Sequence, residues 1–304
     1  MMTVAAPTTT SPTPPASAAS RERGTLGASA RKGGVGGDGA PVELLGVPVD
    51  AVTLQDAAVH IVRSARAGIG GWVITPNLDI LRRVVRDAEF RRMYELATLR
   101  LADGMPLVWA SKLKRTPLPE RAAGSDLIFA LATESAKQGA SIFLLGGNPG
   151  AAEKCAATLT ERNPGLRIAG IECPPPGFEK NPAEVDSLVS RVSVASPEIV
   201  LVALGSPKQE RLIEVLRERM PRAWYLGIGI TFSFVAGEVK RAPMWMRKTG
   251  LEWVHRLVQE PRRLVRRYLI DGVPFAVRLL GVSMWEGLMR RTTGCSSVTR
   301  EPTA

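Results

Sequence analysis

Four short segments of this 304-residue chain carry the side chains best suited to chemistry. Thr75, Pro76 and Asn77 follow the apolar run Trp72 to Ile74. Asp103 and Gly104 follow Leu99 to Ala102. Gly146 and Gly147 sit in IFLLGGNPG, before a helix that starts near Ala151. Gly205, Ser206, Pro207, Lys208, Gln209 and Glu210 follow Leu201 to Leu204. An aspartate such as Asp103 can take a proton from an attacking hydroxyl. Backbone N–H groups at a Gly-rich helix start favour phosphate oxygens, and in open α/β sheets ligands bind at the carboxyl ends of strands.

Each segment also has a plainer reading. Asn77 can be a helix N-cap, and Asp-Gly is a common turn pair. Gly146 and Gly147 can serve backbone angles alone. Ser206 and Pro207 fit a helix start with proline at N1, which leaves Lys208, Gln209 and Glu210 unexplained. The Gly-rich turn lacks the third glycine of a dinucleotide fingerprint, and Glu172 is the one partial candidate for a ribose partner. The sequence contains no DxD pair to hold a metal on a diphosphate. Guanidinium groups can neutralise phosphate instead, and Arg121, Arg241, Arg256, Arg263 and Arg266 are available. A solvated or lipid-facing basic surface is the alternative for the C-terminal ones.

These segments need a framework. From Val42 to about Ile230, β-rich runs alternate with helical stretches, which predicts βαβ units and a parallel sheet. Expected strands are Trp72–Thr75, Ser141–Leu145, Arg167–Ile171, Ile199–Leu204 and Trp224–Ile228. Expected helices are Leu78–Ala97, Ser125–Gln138, Ala151–Arg162 and Lys208–Arg219. After Ala242 the chain turns to helical pieces broken by Pro243, Pro261 and Pro274, with apolar stripes over Leu251–Gln259 and Arg262–Ile270. The division that follows is a disordered tail at 1–40, an α/β core at 41–242, a helical basic appendage at 243–285 and a flexible tail at 286–304.

Composition narrows the function. A hydrophobic fraction of 45% suffices for a sizeable core. Cys155, Cys173 and Cys295 form no CxxC pair, and His60 and His255 lie in no zinc-like or triad setting. The net charge of +11 implies an anionic partner. From Lys240 onward there are 13 Lys and Arg against 5 Asp and Glu. Trp245, Trp253, Tyr268, Phe275 and Trp285 are interleaved with them, as at a lipid interface, although a nucleic-acid surface can share that pattern. No apolar signal region follows the N-terminus, which predicts a cytoplasmic protein. Asp271, Arg278 and Glu286 interrupt the last apolar run and argue against a spanning helix.

In this order, the segments resemble the WecG/TagA/CpsF family of glycosyltransferases. The resemblance runs from about Val42 to Leu280 and includes TPN (75–77), ADGMPLVW (102–109), RAAGSDL (121–127), FLLGG (143–147), GSPKQE (205–210), GIGITFSFVAGEVKRAP (227–243), GLEWVHRL (250–257) and EPRRLVRRYL (260–269). It implies a Rossmann-like α/β core with a C-terminal helical appendage. The implied activity is metal-independent, cofactor-free, inverting transfer of a hexose, for example N-acetylmannosamine, from a UDP-sugar to a polyprenyl-diphosphate-linked acceptor. The setting would be the inner face of the plasma membrane, in cell-envelope or exopolysaccharide synthesis, with an anionic membrane surface rather than nucleic acid as partner.

Under that resemblance Asp103 is the general base and Thr75 acts beside it. Asn77, Gly104, Arg121, Gly146, Gly147, Gly205, Lys208, Gln209, Glu210, Gly229, Arg241, Arg256, Arg263 and Arg266 (or Arg267) bind substrate. His255 stands where many members carry tyrosine. The resemblance further implies self-association that hides the site in the free form. Membrane docking of the appendage would complete the site, and truncation near Ala242 should leave a folded, inactive core. A Rossmann oxidoreductase, separable by its response to NAD rather than UDP, and a non-catalytic basic adaptor are the alternatives.

Overall fold

The computed structural model describes residues 40–293. The head expected at 1–40, apart from Ala40, and the tail beyond 293 lie outside them. A hairpin of β1 (Val42–Leu44) and β2 (Val47–Val49) precedes a six-stranded sheet. Its strands are β3 (Gly71–Ile74), β4 (Leu99–Arg100), β5 (Ser141–Gly146), β6 (Arg167–Glu172), β7 (Ile199–Ala203) and β8 (Trp224–Gly227). Around it lie α1 (Leu54–Arg66), α2 (Leu78–Arg86), α3 (Ala88–Glu95), α4 (Met105–Leu113), α5 (Gly124–Gln138), α6 (Ala151–Arg162), α7 (Pro182–Ala195), α8 (Lys208–Arg219) and α9 (Thr231–Val235). The chain ends in α10 (Met244–Lys248), α11 (Glu252–Gln259), α12 (Pro261–Val265), a π-helical turn (Arg266–Gly272) and α13 (Val273–Thr293).

All six strands pair in parallel in the order β4-β3-β8-β7-β5-β6, which makes the expected parallel sheet a Rossmann-like one. Parallel sheets require cover on both faces, and the sequence supplies it. Every residue of β5 and β7 is buried. Ile142 and Leu144 point into one core with Ile61, Leu127 and Leu201. Phe143 and Leu145 point into the other with Trp72, Leu212 and Tyr225.

The helix expected over 78–97 is two helices. Asp87 leaves the helical conformation, and its side chain accepts a bond from Phe90 N at 3.1 Å, which caps α3. Pro207 occupies the cap position of α8 rather than its first turn. The helix expected at 262–270 breaks into α12 and the π-turn, and α13 then runs to Thr293. The boundary expected at 285 therefore falls inside one helix.

The C-terminal segment is also part of the core, which alters the expectation for truncation. Phe275 and Leu279 belong to the same buried cluster as Leu81 and Leu107. Removal of everything past Ala242 would expose that cluster rather than leave a finished surface. The seat of α13 is tight. Glu286 pairs with Lys114 Nζ at 2.7 Å, and Lys114 also donates to the Glu43 carbonyl at 2.6 Å. A Cβ on Gly287 would lie 2.0 Å from the Leu113 carbonyl oxygen. By length and composition alone, Arg266–Arg291 is long and apolar enough to cross a membrane, contrary to the sequence expectation. Its buried stripe of Phe275, Leu279 and Ser283 commits one face to the protein.

Gly287→Ala should therefore lift α13 from α4. The expected loss is about 1–3 kcal/mol from overpacking, read as a lower Tm and as faster proteolytic cutting near the C-terminus. A variant as stable and protected as the parent would show that α13 does not sit this closely.

Candidate functional site

Because the strands are parallel, every strand-to-helix segment picked out by sequence leaves the same edge of the sheet. These segments line one cleft of about 1070 Å³, closed on the far side by the C-terminal helices. Thr75, Asn77, Asp103, Gly104, Arg121, Gly147, Gly205, Lys208, Gln209, Gly229 and Arg256 all line it. Gly146 and Glu210 stand just behind the wall, and Arg241 lies beyond the lining as well. Arg266 is exposed outside the cleft. The side chain of Arg263 lies outside the described residues.

Several plain readings hold alongside the functional ones. The Asn77 side-chain oxygen caps α2, accepting from Asp79 N and Ile80 N at 3.1 and 3.0 Å. Gly146 is required by its backbone. Its φ is +92°, and a Cβ would approach the Ala203 carbonyl oxygen to 2.8 Å. Glu172 pairs with Arg191 at 2.7 Å, which occupies the partial ribose candidate. Lys208 pairs with Glu179.

Gln209 is buried and holds the neighbouring turn. Its side-chain oxygen accepts from Gly229 N at 3.1 Å, and its amide nitrogen donates to Glu210 Oε1 at 3.0 Å. Gly227 has no room for a Cβ, which would fall 2.5 Å from that nitrogen. Burial pushes the Glu210 carboxyl above its ordinary pKa.

Asp103 is fixed by its backbone, whose N–H donates to the Pro76 carbonyl at 2.8 Å and so ties the β4 end to the β3 end. Its carboxylate makes no hydrogen bond among the described residues. The carboxylate is half-buried, yet surrounding protein desolvates it and raises its pKa to about 6. Arg121 and Arg256 oppose that rise, while Glu252 and Asp126 add to it.

The arginines fall into two groups. Most are matched to carboxylates. Arg121 donates to Glu252 Oε2 at 2.8 Å and to Asp126 Oδ2 at 3.0 Å. Arg241 grips Asp126 with two bonds of 2.7 and 2.8 Å, and Arg247 approaches it to 3.5 Å. On the opposite rim Asp79 receives Arg267 at 2.9 Å and Arg82 at 3.3 Å, and Arg82 reaches Asp271 at 2.8 Å. Arg256 differs. Its guanidinium stacks over Phe234 at 5.6 Å and has no carboxylate partner among the described residues.

The sequence reading missed Glu252, Arg247 and Asp79 as parts of the cleft lining, Asp126 as the carboxylate that engages its arginines, and Trp253 and Tyr268 as its walls. Asp126 and Glu252 lay inside the recognised segments RAAGSDL and GLEWVHRL. Nothing in spacing signals that Arg121 and Glu252, 131 residues apart, meet.

Residues 42–288, well over half of the chain, match the profile of the glycosyl transferase WecG/TagA/CpsF family.

The raised pKa of Asp103 has a stability consequence. The folded state holds this proton more tightly than the unfolded chain, whose ordinary value is 3.8. That contribution is full below pH 4 and is lost as pH rises through about 6. Asp103→Asn avoids burying a charge, so it should melt above the parent at pH 8, by at most about 3 kcal/mol. At pH 4 the two should melt almost together. Thermal melts at both values decide the point, and a variant that melts below the parent at pH 8 contradicts it.

Proposed function

The chain belongs to the glycosyl transferase WecG/TagA/CpsF family and is a glycosyltransferase that uses a sugar-nucleotide donor and an acceptor, and from that premise we propose that it moves a hexose from a UDP-sugar to a polyprenyl-diphosphate-linked acceptor in cell-envelope or exopolysaccharide synthesis. The observation that carries this reading is one cleft holding both an unpartnered carboxylate, Asp103, and an unpartnered guanidinium, Arg256. The first suits proton removal, and the second suits a departing diphosphate.

In the proposed step the acceptor hydroxyl oxygen attacks the anomeric carbon and gives its proton to Asp103. The bond from that carbon to the β-phosphate oxygen breaks, and its electron pair leaves with UDP. A single displacement of this kind inverts the anomeric centre. A carboxylate with pKa about 6 is ionised at neutral pH yet more basic than an ordinary aspartate. Arg256 takes the developing negative charge, and Arg121 lines the same cleft. Thr75, 8% exposed at the carboxyl end of β3, lies at the floor of the same space.

A metal-independent route fits the disposition of the acids. Asp79, Asp126 and Glu252 line or border the cleft, and each is already engaged by one or more guanidinium groups. The proposed location is the cytoplasmic face of the membrane. Ile270, Val277 and Trp285 turn outward from the C-terminal helices at 65%, 66% and 61% exposure, and Trp245 does so at 61%. Apolar and tryptophan side chains beside arginines suit an interface of lipid head groups and hydrocarbon.

Asp103→Asn should reduce turnover about 10²- to 10⁴-fold, the usual range for a general base, while UDP still raises the melting temperature as it does for the parent. Parental turnover in this variant would remove Asp103 from the mechanism. Activity should also survive EDTA. Its abolition by chelation, with recovery on added magnesium, would overturn the metal-independent route.

A further inference from the structure

The geometry points to Glu252 as a positioning residue through which the C-terminal helices act on the catalytic centre: it holds one arm of Arg121, so that this guanidinium is shared by two carboxylates and Asp103 is left unpaired. The inference deepens the proposed function and rests on its assignment of Asp103 as base.

Three observations support it. Both arms of the Arg121 fork are engaged, one by Glu252 at 2.8 Å and the other by Asp126 at 3.0 Å. A planar guanidinium held on two sides cannot at the same time form a two-pronged pair with a third carboxylate. Second, Glu252 opens α11, where the positive end of the helix dipole favours its negative charge, and Arg241 Nε stands 3.8 Å away. Third, the Asp103 carboxylate has no hydrogen-bond partner among the described residues although Arg121 lines the same cleft.

The charged groups that act on Asp103 come from three places. Arg121 precedes α5, Asp126 lies in its first turn, and Arg241, Glu252 and Arg256 belong to the segment after the sheet. Arg121 and Arg256 favour the ionised carboxylate, whereas Glu252 and Asp126 disfavour it. Removing the charge of Glu252 therefore acts twice in one direction. A nearby negative charge disappears, and one arm of Arg121 becomes free to pair with Asp103. Both effects lower the proton affinity of Asp103 and make it a weaker base.

Asp126 cannot substitute for Glu252 as a sensor of the C-terminal helices, because it belongs to the core helix α5. The Glu252 contact exists only when α11 is seated. Seating thereby becomes an electrostatic condition at the reacting group, felt directly as the Glu252 charge and through the Arg121 guanidinium that Glu252 holds.

The test is a carbon-13 titration of the Asp103 carboxyl in the full-length protein, assigned by its loss in Asp103→Asn, and repeated in Glu252→Gln and Glu252→Asp. The parent midpoint should lie near 6. In Glu252→Gln it should fall by about 1 unit or more, with a fall in kcat and little change in donor KM. Glu252→Asp should restore both in part. A midpoint in Glu252→Gln that stays in place or rises overturns the inference, as does a loss of activity accompanied only by a lower Tm. The titration is read without turnover. A fully active Asp103→Asn would remove the proposed base, while the link from Glu252 to Asp103 would still be decided by the midpoints.

Discussion

Every strand of the central sheet runs in the same direction, and the cleft exists because of that constraint. Parallel pairing sends the chain out of β3, β4, β5, β7 and β8 at one edge. Thr75, Asp103, Gly147, Gly205 and Gly229 then share a rim although they are spread over more than half of the sequence. The tightness of that rim follows from backbone bonds between successive exits. Asp103 N bonds to the Pro76 carbonyl, Gly147 N to Ala203 and Ile228 N to Val202, each at 2.8 or 2.9 Å. Glycine is needed where exits crowd, as at Gly146 beside Ala203 and at Gly227 beside the Gln209 amide.

The second constraint is charge. A cluster of guanidinium groups in a partly desolvated cleft is costly unless it is compensated. Asp126 and Glu252 compensate Arg121, Arg241 and Arg247, and Asp79 with Asp271 compensates Arg82 and Arg267. Compensation also brings order, because a bidentate pair fixes the plane of each guanidinium. What stays uncompensated is more informative. Arg256 rests on an aromatic ring, and Asp103 stands alone, so a strong positive and a strong negative site remain open toward the same space.

Much of this was legible in the sequence, for identifiable reasons. Buried parallel strands read as apolar runs, so β5, β7 and β8 fell within a residue or two of expectation; the half-exposed edge strand β6 did so too, and α6 and α8 matched at both ends. The β1–β2 hairpin and the helices α1, α4 and α7 were among the elements not anticipated. Three-residue strands carry too little periodicity to register. Most rim residues were identified because strand ends are where ligands meet α/β sheets. Their ion-pair partners were not, because pairing depends on how remote helices dock. Gln209, picked out as a ligand contact, lines the cleft, and its buried amide also braces the Gly229 turn.

The C-terminal helices illustrate how a basic, apolar segment can be surface and core together. Residues near the start of α13 face three ways. Phe275 and Leu279 enter the main core, Val273 and Ala276 line the cleft, and Val277 faces outward. A helix so placed cannot leave to span a bilayer without exposing Leu81 and Leu107 beneath it, even though its length and hydropathy would suffice. Contact with a membrane, as proposed, would then be made by the outer face with the helix lying against the protein. The cleft is walled by the inner turns of the same helix and by Trp253, Tyr268 and Arg256 immediately before it. Any shift of these helices against the core would move that wall, and Arg121, held between Asp126 of the core and Glu252 of α11, is where such a shift first meets the chemistry.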